Sequence, residues 1–196
     1  NLSIKKLKHD PLISSCDEIA KQSERFVGLS ASLENLLLPI ISIGDEKELS
    51  RLLKASCLLA DIAWNEHTSS RNIIASEKIL LLPTNSLTHR ERAWLAKTLF
   101  HRYNRPIDLV KFPYNLKPIL SLEDNYTSII VGLSLRFAMA ACAGLPDLLN
   151  NIKINLSEED LKVTFNANTK TLLVDHVYEK LKVLSFYLDK KLIVKL

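Results

Sequence analysis

Glycine is scarce in this chain: four residues in 196. Four scattered glycines cannot build a P-loop or a dinucleotide fingerprint, which need clustered glycines so that backbone N–H groups can approach phosphate. Cysteine is scarcer still. Cys16, Cys57 and Cys142 lie far apart in apolar helical patterns, with no C-x-x-C spacing. They are predicted to be reduced core residues of a cytoplasmic protein. No cysteine has an evidently basic, exposed setting and no G-x-S-x-G occurs, so nucleophilic catalysis has little support. A long hydrophobic run is also missing. Ile129 to Leu145 is strongly apolar but short of the ~20 residues a membrane span needs, and Arg136 sits at its centre. A buried core helix and no membrane contact are expected. The opening residues, Asn1 to Lys6, lack both the apolar region of a signal peptide and a methionine. The expectation is a piece of something longer.

What is present is unevenly charged. The net charge is +4, but His89 to Lys117 holds seven basic residues against Glu91 and Asp108. That segment alone carries the excess, and a localised basic patch favours a polyanionic partner. Arg90 and Lys97 lie two turns apart on one predicted helix, and Arg102 and Arg105 continue the charge past its end. His67 and Arg71 fall in a loop after an earlier helix. Arginine suits bidentate phosphate contacts, so these are candidate phosphate ligands, with His67 and His101 secondary. A merely solvated basic face is the competing reading, and single lysines in the last 46 residues are read that way. This pattern does not point to nucleic acid. No helix-turn-helix is evident, and Trp64, Trp94, Phe100 and Tyr103 fall at core-like helical spacing rather than as a stacking platform.

Helix signals dominate the first three quarters. Asp10-Pro11 opens a helix expected to reach Phe26, before Gly28. A second runs from Ser32 to Ile41. Asp45 caps a third, with Glu48 placed for a capping box and a helical repeat continuing to Trp64. Arg71 to Leu82 is a fourth. Thr88 and Glu91 form another capping box, opening a helix to Tyr103. Pro106, Pro113 and Pro118 mark an irregular connection. A buried helix from Asp124 to Ala143 is closed by Gly144 and Pro146. The pattern then changes: Ile152–Leu156 and Leu161–Phe165 alternate as strands do, Leu172–Leu188 is amphipathic, and Lys191–Leu196 is a last strand. The predicted fold is mainly α: a helical bundle over residues 1–147, then a small α+β (β-β-α-β) subdomain over 148–196. That subdomain is too small to stand alone and should pack on the helices.

The most informative run is Leu58-Leu59-Ala60-Asp61-Ile62-Ala63, with Trp64 and His67 after it. It resembles the metal-binding His-Asp helix of an HD-type phosphohydrolase, with Ala60 where the histidine belongs. A methyl group cannot ligate a metal, and His67 and His101 are not fixed near Asp61 by spacing. Ala60 and Asp61 therefore read as the remnant of an HD site, with no metal and no catalytic residue expected.

Further stretches fit a wider resemblance: Asp10-Pro11-Leu12, Ala55 to Trp64 with His67, Phe100-His101-Arg102-Tyr103, and Gly132 to Ala138. Their order and spacing resemble the C-terminal region of the exopolyphosphatase/guanosine pentaphosphate phosphatase family over nearly the whole chain. The resemblance implies an HD-like helical fold with incomplete metal ligands, followed by the small subdomain. It implies that catalysis belongs to an N-terminal actin-like module with Mg²⁺, and that no cofactor is needed here. It also implies that this region grips inorganic polyphosphate and supports a homodimer. Three alternatives stay open: a purely structural dimerisation domain, a parent acting on guanosine pentaphosphate, and a surviving metal phosphohydrolase.

Overall fold

A computed structural model describes residues 10–23, 25–104, 111–116 and 118–196. The elements run α1 (Pro11–Ser23), α2 (Leu29–Leu37), α3 (Glu46–Leu58), α4 (Arg71–Leu80), α5 (His89–Tyr103), α6 (Leu122–Cys142), β1 (Ile152–Leu156), β2 (Asp160–Phe165), α7 (Asp175–Leu188) and β3 (Lys191–Lys195). Short 3₁₀ turns follow α2, precede β1 and precede α7. The chain is mainly helical with a small three-stranded sheet at its C-terminus, as the sequence pattern predicts. β1 and β2 pair antiparallel, and β2 and β3 pair parallel, with α7 as the crossover. Residues 105–110 and 117 of the proline-marked connection before α6 lie outside the described residues.

Helix starts follow their caps. Asp10 accepts from the Leu12 amide at 2.8 Å and opens α1. Both halves of the Thr88–Glu91 capping box form. The same device, Ser121 with Asp124, opens α6 two residues earlier than the hydrophobic pattern suggests. At α3 only half of the expected box forms. Asp45 accepts from the Glu48 amide, while the Glu48 carboxylate turns to Arg90 instead.

The end of α3 departs most from expectation, and it positions the site. The helix stops at Leu58 rather than reaching Trp64. Beyond it the amides step to carbonyls three residues back: Ala60 to Cys57, Ile62 to Leu59, Trp64 to Asp61. Tyr103 on α5 explains the break. Its hydroxyl donates to the Ala60 carbonyl at 2.8 Å and accepts from the Ala63 amide at 3.2 Å. Those two groups would otherwise serve the next helical turn. Ala60, Asp61 and Ile62 are thus held on tight turns, buried against α5.

Helices α4, α5 and α6 form the centre. Gly132 lets α5 and α6 touch: a β-carbon there would stand 2.5 Å from the Thr98 carbonyl and 2.7 Å from the His101 β-carbon. Trp94, Phe100 and Phe137 are wholly buried in this region. One hydrophobic cluster runs from Leu12 on α1 to Leu188 on α7 and includes the sheet residues Ile154, Val163 and Phe165. The three cysteines are free and buried, and burial pushes the Cys16 thiol up to about 12. No described helix is long and apolar enough to cross a membrane.

Candidate functional site: a cationic cleft

The last turn of α5 places Arg102 and Tyr103 beside the turns that follow α3. Arg102 and Arg71 both lie against the Tyr103 ring, with guanidinium carbons 4.2 and 6.0 Å from its centroid. Arg71, at the start of α4, is oriented by two donations to the Glu66 carbonyl, from Nε at 3.1 Å and Nη2 at 2.8 Å. Arg25, in the bend between α1 and α2, reaches in from the other side. Its guanidinium sits near the rings of Phe26 and Trp64, at 5.1 and 5.3 Å. Together with Thr68, Asn104, Arg136, Met139 and Ala140, and Lys180 from α7, they line a cleft of ≈ 300 Å³.

Asp61 lies beneath this ring of cations and is 2% exposed. Arg25 donates to both of its oxygens, Nε to Oδ2 at 3.0 Å and Nη2 to Oδ1 at 2.9 Å. Arg102 Nη2 stands 3.8 Å from Oδ1. The fork-to-fork pair raises the Arg25 pKa through its hydrogen bonds to Asp61. Burial lowers the Arg102 pKa; Tyr103 and Asp61 pull it up, and Arg25 and Arg71 push it down. Burial and then Arg102 lower that of Arg136. Among the described residues, Arg102 Nε is buried without a hydrogen-bond partner. Among the described residues five cationic side chains line the cleft, and the one that pairs with Asp61 on both oxygens is Arg25.

A divalent metal does not fit the donors present. Ala60 offers no ligand atom. Both Asp61 oxygens are engaged by arginine, and cations surround them. No three His, Cys, Asp or Glu side chains converge on a metal position among the described residues. At Asp61 the structure holds an arginine–carboxylate pair.

The residues singled out from sequence fall in different places. Arg71 and Arg102 are in the cleft. His67 is exposed beside Thr68, its Nδ1 2.7 Å from the Ser69 hydroxyl. His101 faces the core rather than the cleft. It is 7% exposed, and among the described residues neither ring nitrogen has a hydrogen-bond partner. Burial first, then Lys97 and Arg136, push its pKa down to about 3. Lys97 is half-buried and donates to Asn125 Oδ1 at 2.5 Å. Arg90 is about 18 Å along α5 from Arg102, at twelve residues of 1.5 Å rise. There it joins the N-termini of three helices, donating to Asp124 at 2.9 and 2.5 Å and to Glu48 at 2.5 Å. Arg105 lies outside the described residues.

Three cleft cations escaped the sequence reading. Arg136 had a signal: a charge inside an otherwise apolar helix needs a polar place to go. Arg25 had none beyond its nearness to the Gly28 break. Lys180 looked like any surface lysine, yet it lines the cleft and is partly desolvated.

Fold and site together define a mainly helical domain with a small C-terminal sheet and an arginine-rich cleft closed over a buried carboxylate. The chain matches the family described as Exopolyphosphatase, C-terminal, over residues 12–194, and it belongs to that family. No curated protein matches it.

Proposed function

We propose that this domain binds inorganic polyphosphate in the cationic cleft and does not itself cleave it. In this reading it serves an exopolyphosphatase. A separate actin-like module, N-terminal and Mg²⁺-dependent, removes the terminal phosphate while this domain holds the chain behind it. The carrying observation is the convergence of Arg25, Arg71, Arg102, Arg136 and Lys180 on one cleft, with the Asp61 carboxylate already paired to Arg25. Arginine forks suit phosphoryl oxygens. A linear chain supplies one negative charge per unit and matches an elongated cation set better than a single phosphate does. The nonbridging oxygens would take the guanidinium N–H groups. Thr68 and Asn104 add polar groups at the same wall.

The test is calorimetric titration of the 196-residue chain with long-chain polyphosphate at two salt concentrations, with metal content assayed on the same sample. The expected result is binding that weakens steeply with salt, by analogy with counterion release from nucleic acids. Absence of binding in a metal-free dimer would overturn this reading and leave a structural, dimer-forming role. Stoichiometric metal would restore a hydrolase reading.

A further inference from the structure

Arg25, Arg71 and Arg102 differ in how their donors are spent. Arg25 gives Nε and Nη2 to the Asp61 carboxylate. Arg71 gives Nε and Nη2 to the Glu66 carbonyl. Arg102 makes no hydrogen bond among the described residues, and its Nε is buried without a partner. The carboxylate oxygen beside it, Asp61 Oδ1, stands 3.8 Å from Nη2, beyond hydrogen-bond reach. That oxygen already accepts from Arg25 at 2.9 Å. A ring holds Arg102 instead: its guanidinium carbon lies 4.2 Å from the Tyr103 centroid. Tyr103 is fixed in turn, donating to the Ala60 carbonyl and accepting from the Ala63 amide. The Arg102 side chain is 12% exposed. The fold has thus removed most of its water and set its plane, yet left its N–H groups unpaired. Unpaired donors of a buried side chain cost stability, and a site that meets this cost before its ligand arrives binds the ligand better.

We infer that Arg102 is the specificity-determining anchor of the phosphate site and that Tyr103 is its positioning residue. The nonbridging oxygens of one phosphate unit supply the acceptors that the Arg102 guanidinium lacks. A charge-assisted hydrogen bond made by a donor with little water around it is strong. Arg25 and Arg71 keep their protein partners and add charge and their remaining N–H groups at the same wall. The anchor must be arginine, because an ammonium has neither the planar fork nor the stacking face. This inference rests on the phosphate-binding reading above.

The experiment is calorimetric titration of the 196-residue chain and its variants with long-chain polyphosphate at two salt concentrations, joined to ligand-free urea melts. Arg102→Met should weaken binding by about thirtyfold or more, as loss of a hot spot does. Its ligand-free urea midpoint should be unchanged or raised, because an apolar side chain leaves no donor unpaired. Arg71→Met should weaken binding by less than about fivefold. Arg102→Lys keeps the charge and should lose about tenfold in affinity with an unchanged salt slope. Tyr103→Phe keeps the ring and should bind within about threefold of the unmodified chain. Tyr103→Leu should bind as weakly as Arg102→Lys, and should add nothing in the Arg102→Met background. Equal losses in Arg102→Met and Arg71→Met, full affinity in Arg102→Lys, or a lowered midpoint or failure to fold in Arg102→Met would overturn the anchor and leave the binding reading intact. No binding by the unmodified chain would overturn both.

Discussion

Asp61 shows how one side chain decides what its surroundings can hold. A carboxylate buried at 2% exposure needs a partner, and here the partner is a bidentate arginine rather than a metal. Replacing Asp61 with Ala should destabilise the chain by about 2–3 kcal/mol in urea melts. That is below the cost of breaking a fully buried pair, because Arg25 keeps a third of its side chain exposed. Arg71→Ala should lower polyphosphate affinity and reduce the salt slope of binding by about 1, as loss of one phosphate contact does. Arg90→Ala should leave the slope unchanged and reduce stability, because its guanidinium is already committed to Asp124 and Glu48. His101 makes a pH prediction. Its folded pKa of about 3 lies below the unfolded value near 6.5. Only the unfolded chain takes up a proton between those values. The stability contribution is therefore full above pH 6.5 and is lost as pH falls towards 3. Between pH 7 and pH 5 the loss from this group should be about 2 kcal/mol, and His101→Leu should remove that part of the slope in urea titrations.

At the scale of elements, the crossing of α5 over α6 depends on Gly132. A methyl group there meets backbone on α5, which cannot swing aside as a flexible side-chain end can. Gly132→Ala should cost about 1–3 kcal/mol, as overpacking does, and urea unfolding would show it. Tyr103 sets the break after α3. Tyr103→Phe should lose about 1 kcal/mol and loosen the turns that carry Asp61, seen as faster amide exchange at Ala63. Helix starts were legible because caps are local: Asp10, Thr88 and Asp45 each act within one turn. The end of α3 was not legible. A hydroxyl some 40 positions later in the chain decides it, and helical periodicity carries on past that point undisturbed.

Across the whole molecule, the helices and the C-terminal sheet share one hydrophobic cluster. Sequence patterning divides the chain near residue 147, where helical periodicity gives way to alternation. The shared cluster predicts a single cooperative unfolding transition, with tryptophan fluorescence from the helical body and far-ultraviolet circular dichroism changing together. Two separated transitions would show instead that the C-terminal unit unfolds on its own. The cleft is a property at this scale as well, since its cations come from the α1–α2 bend, α4, α5, α6 and α7.

The sequence by itself determined the class of fold, the order of elements and the family. Periodicity, caps and residue identity are local. Tertiary structure alone decided which cations meet. Arg90 and Arg102 stand on the same helix and look equivalent in a list of charges, yet about 18 Å of rigid rise separates them. Arg25 and Lys180 stand far apart in sequence, yet they line one cleft. Charge adds up in space rather than along the chain. A basic segment can announce a polyanionic partner, but only packing selects the side chains that form its site.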